Sequence, residues 1–176
     1  MVIKCNLCGS DDLKEKYLFD QFNIYQCKKC DLVFTDQNSI KKGEEGLYSA
    51  DYFTNEHPNF FSDCRDDYEE KKSKKVKNFR DGLKVINKYA RGKKILDLGC
   101  ATGVFLDIAK KNGWEPYGVD VSQYAADYAH KTFGLNVYCG ELLKNPFPEV
   151  KFDVITMWDF IEHVPNPKEI LKVTNG

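Results

Sequence analysis

Two sets of residues carry chemistry by their type and spacing. The first is a pair of cysteine pairs, Cys5 and Cys8 followed by Cys27 and Cys30, in the pattern C-x2-C-x18-C-x2-C. Two residues between cysteines let the backbone form a tight knuckle whose amides stabilise thiolates, and two knuckles on facing hairpins complete a tetrahedron around zinc. Gly9, directly after the first pair, gives that turn a permissive backbone. The matched spacing favours zinc over four ordinary thiols. Four thiolates leave no open coordination position, so the metal would be structural, holding a module too small to build its own core. Of the remaining cysteines, Cys64, Cys100 and Cys139 have no such pairing, and Cys64 and Cys139 read as packing residues.

The second set is the run ILDLGCATG, in which apolar strand residues lead into a turn with Gly99 and Gly103 before a helix starting near Val104. A turn of this kind brings backbone amides to a ligand at the carboxyl end of the first strand of an open α/β sheet. A dinucleotide fingerprint would read G-x-G-x-x-G, and here Ala101 and Val104 stand where its second and third glycines would be. Asp97, just before the glycines, would repel a pyrophosphate but suits the ammonium of an amino-acid-bearing cofactor. The charge points to S-adenosylmethionine. Asp120 follows Gly99 by 21 residues and ends the next strand, the position from which a carboxylate accepts hydrogen bonds from ribose hydroxyls. Glu141, after Gly140, is placed to accept from an adenine amino group. Singly, Asp97 reads equally as a turn cap, Asp120 as a strand-end cap and Glu141 as a surface charge. The ordered set argues for a site.

The elements that must position these residues follow from periodicity. Residues 1–40 hold cysteine pairs and short β-prone runs at Tyr17 to Phe19, Asn23 to Gln26 and Leu32 to Thr35, and read as a small β module. Residues 41–92 comprise a connector over 41–62 that mixes Gly, Pro and Asn with aromatics, then an amphipathic helix from Asp63 to Tyr89 with Val76, Phe79, Leu83 and Ile86 on one face. From residue 93 strands and helices alternate: KKILDL, a helix from Val104 to Asn112, Glu115 to Asp120, a helix from Ser122 to Thr132, Asn136 to Cys139, and Phe152 to Met157. Such a run of βαβ units means an α/β fold, a parallel sheet flanked by helices. NPKEILKVTNG begins one more helix.

In this order and spacing, ILDLGCATG, YGVDVS, CGEL and FDVITMWDFIEHVPNP resemble the successive motifs of class I S-adenosylmethionine-dependent methyltransferases, over about residues 93–176. The resemblance implies a Rossmann-like sheet and a cofactor site of Asp97, Gly99, Cys100 and Gly103 around the methionine part. Asp120 and Val121 would lie at the ribose, Glu141 and Leu142 beside adenine, and Trp158 and Asp159 under the cofactor. Residues 1–55, with the closing segment YSADYF, resemble the zinc-ribbon leader of bacterial methyltransferases of sugar and polysaccharide pathways. Because that fold usually has seven strands and these residues supply four, a partial, C-terminally truncated domain is expected, its fourth strand leaving an edge that invites dimerisation.

Methyl transfer is an in-line displacement at a sulfonium-activated carbon, so the protein mainly aligns the reactants and excludes water. His163 is the candidate base for a hydroxyl or amine acceptor, the alternative being a hydrogen-bonded structural histidine. Asp159, Glu162 and His163 form D-x-x-E-H, which could instead meet around a divalent ion, as in some quinone and RNA methyltransferases with a similar segment. The lysines from Lys71 to Lys77 read as a solvated helix face or an RNA contact. Tyr48, Tyr52 and Phe53 either close over the cofactor or pack the connector.

Composition limits the partners. With 26 basic and 27 acidic residues the net charge is -1, and no global field recruits nucleic acid or an anionic membrane. No window approaches the roughly 18 apolar residues of a membrane span, and MVIKCNLCGSDD lacks a signal-peptide core. A cytoplasmic enzyme acting on a small-molecule acceptor, such as a sugar or related metabolite, is expected. The competing readings are an RNA methyltransferase and a non-catalytic cofactor-binding scaffold.

Overall fold

A computed structural model describes residues 3–19, 22–35, 74–141, 146–164 and 166–174. The expected helical start at Asp63, the YSADYF segment with Tyr48, Tyr52 and Phe53, Cys64 and Leu142 lie outside the described residues. The chain divides into two compact units, Tyr48–Phe160 and the remainder.

In the remainder, β1 (Leu13–Leu18), β2 (Asn23–Cys27) and β3 (Val33–Thr35) form an antiparallel sheet in the order β1-β2-β3. Its small core is Cys5, Tyr25, Cys27 and Phe34, with Ile3, Leu13 and Leu32 packed alongside. Two of the four buried core residues are thiols, so the apolar area the module buries is small. β1 begins four residues before the β-prone run marked by its aromatics, because pairing with β2 recruits Leu13 to Lys16 whatever their own preference.

The first described element of the Tyr48–Phe160 unit is α1 (Lys74–Tyr89), which buries Val76, Phe79 and Leu83 along one stripe. β4 (Lys94–Leu98), α2 (Val104–Lys111), β5 (Glu115–Asp120), α3 (Gln123–Phe133), β6 (Asn136–Cys139) and β7 (Val154–Thr156) follow. The four strands form a parallel sheet in the order β6-β5-β4-β7, the α/β architecture expected. β4 is central, and Ile95, Leu96, Asp97 and Leu98 are all buried, as befits a strand covered on both faces. One core joins Val76, Phe79 and Leu83 of α1 to Phe105, Leu106 and Ile108 of α2 and to Trp114. Ser122 caps α3 by accepting from the Ala125 amide, and Gly134 closes it in the left-handed conformation. After β7 the chain forms a 3-10 turn at Ile161–His163 and helix α4 (Pro167–Thr174).

Candidate functional site

The glycine loop leaves β4 and is fastened to β5 by backbone and side chain together. The amides of Gly99 and Cys100 donate to the Val119 carbonyl at 2.9 and 3.2 Å. Asp120 then gathers three neighbours. Its carboxylate accepts from the Ala101 amide at 2.8 Å and from the Ser122 amide at 2.9 Å, and its carbonyl accepts from Gly140 at 2.9 Å. Asp120 thus stands where a ribose ligand was expected, but its resolved bonds are those of a hub that holds the loop, α3 and the end of β6 together. Each carboxylate oxygen retains a further lone pair for a ligand.

The loop's conformation explains its glycines. Gly99 and Gly103 have φ of 71° and 81°, and Ala101, the residue in place of a second glycine, also turns left-handed at 47°. A Cβ at Gly99 would sit 2.5 Å from the Phe160 ring, and one at Gly103 would sit 2.7 Å from Leu135 and 2.9 Å from Ala129. Gly103 is therefore fixed by backbone and by packing at once.

Asp97 is 2% exposed and accepts the Thr156 hydroxyl at 2.7 Å. Burial pushes its carboxyl up to about 8, the Thr156 bond opposing and the charge of Asp120 adding, while Lys75 opposes. Asp120 is raised by burial too, against the amides that bind it. Cys100 stays a thiol, pushed well up by burial and by the two carboxylates. It packs toward Gly118 of β5, where any Cβ would meet its sulfur.

A cavity opens beside this loop, walled by Asp97, Gly99 to Thr102, Val104, Phe105, Trp158, Phe79 and Lys75. Lys75 corrects one reading of the sequence: it is not simply part of a solvated lysine face. Its ammonium lies 3.4 Å from the Asp159 carboxylate and 5.9 Å from the centre of the Phe79 ring. A helical wheel marks only which residues leave the core, and nothing in the lysine run shows which of them α1 directs at the loop.

Asp159 takes a left-handed backbone at φ 50°. Trp158 packs against Phe79 and Phe105, each ring centre 5.2 Å away. Val121 is exposed immediately after Asp120, and Glu141 is exposed after Gly140. Glu162 and His163 are exposed on the Ile161–His163 turn.

A second constellation lies in the antiparallel module. Among the described residues, Cys5, Cys8, Cys27 and Cys30 are the one group of metal-ligating side chains that converges, every sulfur within 4.8 Å of the others. Cys5 and Cys30 are 3.6 Å apart and Cys8 and Cys27 3.5 Å. A tetrahedron with zinc–sulfur bonds of about 2.3 Å has edges of about 3.8 Å, which these two sulfur pairs approach to within a few tenths of an ångström. The knuckles are twins. Gly9 and Asp31 each follow the second cysteine of a pair, each is left-handed, at φ 74° and 60°, and each returns its amide to the first cysteine's carbonyl at 2.9 Å. Burial raises Cys27, yet the amides of Cys30 and Lys29 outweigh it and bring the thiol down to about 7.

These two sites can now be set beside known proteins. Residues 68–175 match the family model described as a methyltransferase domain, and the chain belongs to that family. It is 31% identical over 87 residues to the ubiquinone biosynthesis O-methyltransferase of Coxiella burnetii (strain RSA 493 / Nine Mile phase I), covering 47% of this chain and 37% of that enzyme. The enzyme of the same name from Pseudomonas fluorescens (strain Pf0-1) is 33% identical over 88 residues, covering 46% and 38%. Among solved structures, a TehB-like SAM-dependent methyltransferase from Corynebacterium glutamicum is 28% identical, covering 47% of this chain and 43% of that one with a TM-score of 0.38. The chain thus spans less than two fifths of the length of these curated relatives.

Proposed function

We propose that the chain binds S-adenosylmethionine at the carboxyl ends of β4 and β5, and that the protein transfers its methyl group to a small-molecule acceptor. The observation that carries this reading is the Gly99–Gly103 loop, fastened to Asp120 and opening on a cavity that holds a buried carboxylate, Asp97, and a cation, Lys75. That pairing of charges suits the ammonium and carboxylate of an amino acid. Asp97 and the loop carbonyls would accept from the ammonium, with Cys100 in the loop wall. Lys75 would face the carboxylate, Asp120 and Val121 the ribose and the ring edge, Glu141 and Leu142 the adenine, and Trp158 and Asp159 the floor.

Bound there, the cofactor supplies a methyl group already activated on a sulfonium. The chain's part is to fix the ligand and exclude water, which the wall of Phe79, Phe105 and Trp158 does. His163 is our candidate to take the proton of a hydroxyl or amine acceptor. Support for a small acceptor comes from the chain's likeness to ubiquinone biosynthesis O-methyltransferases and from a net charge of -1, which supplies no field for nucleic acid. A sugar or related metabolite is our narrower proposal, on the resemblance of the leader. The four cysteines we assign to one structural zinc.

Equilibrium dialysis with labelled S-adenosylmethionine tests the cofactor. One site per chain is expected, lost in Asp120→Ala and not displaced by NAD. A folded chain that takes up no label would reject the reading.

A further inference from the structure

Trp158 Nε1 is a buried donor with no hydrogen-bond partner among the described residues. An indole N–H can only donate, and leaving a desolvated donor unpaired is costly. The ring is not free to turn the N–H toward water. Phe79 and Phe105 grip it at 5.2 Å, and its far edge lies so close over Gly82 that a Cβ there would clash. With no acceptor among the described residues, a ligand in the adjoining cavity is the candidate to supply one.

The chemistry of that acceptor follows from what stands nearby. Trp158 walls the same cavity as Asp97, the loop and Lys75. Lys75 stands at the Trp158 end: its ammonium is 3.4 Å from the carboxylate of Asp159, the next residue along, and it lies over Phe79, the ring that packs on the indole. A cation and a fixed neutral donor on one wall suit an anionic acceptor, which would share Lys75 with the exposed Asp159 carboxylate. We propose that Trp158 is a specificity-determining residue, its indole N–H donating to a carboxylate of the bound ligand beside Lys75. The inference rests on the reading of this cavity as a site for an amino-acid-bearing nucleoside. It makes the protein discriminate against nucleosides that lack the amino-acid arm, since these leave the N–H unpaired.

The chain has two tryptophans, so a 15N-labelled sample shows two indole signals, and Trp158→Phe assigns them. Trp114 Nε1 donates to Asn87 Oδ1 at 3.1 Å and serves as the internal reference. Two probes are titrated: S-adenosylhomocysteine, which carries the carboxylate, and 5′-methylthioadenosine, the same nucleoside thioether without the amino-acid arm. We expect S-adenosylhomocysteine to move the Trp158 indole proton downfield and methylthioadenosine to leave it in place. Trp158→Phe should weaken the first ligand about tenfold or more, as for a lost bond to a charged group, and the second by less than about threefold. An unmoved Trp158 signal with S-adenosylhomocysteine bound would overturn the proposal, as would equal weakening of both ligands by the substitution. If neither ligand binds the folded wild-type chain, the nucleoside reading of the cavity falls and the role of the indole with it.

Discussion

At the scale of single residues, the buried pair Asp97 and Asp120 governs how the site responds to pH. Asp97 is raised from 3.8 to about 8, chiefly by burial, so the folded chain holds a proton there that the unfolded chain has released. Its contribution to stability is full below about 4 and is lost as pH rises through about 8. Asp97→Asn, which keeps the shape without the charge, should therefore melt at a higher temperature than wild type at pH 8.5 and at a similar one at pH 4.5; thermal melts at both pH values check it. A cationic ligand would draw Asp97 into its ionised form. Cofactor affinity should then rise from pH 6 to 8, with protons released on binding, and calorimetry in two buffers of different ionisation enthalpy reads that number directly. In Asp97→Asn both the pH dependence and most of the affinity should disappear.

At the scale of elements, the glycine loop and the two knuckles show how turn chemistry places the reactive groups. Gly103→Ala asks for a left-handed alanine whose Cβ has no room beside Leu135 and Ala129. We expect a loss of about 1–3 kcal/mol in a denaturant titration, from backbone strain and overpacking together. Gly9 is a contrasting case, with open space around a Cβ and only its φ of 74° to satisfy. Since Asp31 meets the same demand in the second knuckle, Gly9→Asp should retain about one zinc per chain in metal analysis. Gly9→Val, β-branched and unsuited to that region, should lose zinc and the antiparallel sheet with it.

These elements were legible in the sequence to different depths. The strands β4, β5 and β6 and helices α2 and α3 stand close to their expected bounds, because an apolar run and a 3.6-residue period are local signals. The cysteine spacing likewise encodes its own convergence. Three features were not legible, because each is a tertiary contact. The hub role of Asp120 depends on where the loop amides return, the place of Lys75 on how α1 docks beside β4, and the unpaired N–H of Trp158 on what fails to surround it. The left-handed Asp31 was the one missed feature with a local trace, since aspartate tolerates that conformation better than most residues and follows a C-x2-C pair just as Gly9 does.

At the scale of the whole molecule, the near balance of 26 basic and 27 acidic residues separates the favoured acceptor class from its rival. A chain of near-zero net charge should bind structured RNA weakly and with little salt dependence. Filter binding between 50 and 200 mM salt checks this, and a steep fall in affinity would instead favour a nucleic-acid acceptor. No helix among the described residues is long and apolar enough to cross a membrane. The curated relatives extend well past the matched span, and the central claim for this chain is its cofactor site. Isothermal titration of S-adenosylhomocysteine into the chain at pH 8 tests it most directly. The account predicts one ligand per chain, with binding abolished in Asp120→Ala; the absence of binding at millimolar ligand, to a chain whose circular dichroism shows it folded, would contradict it.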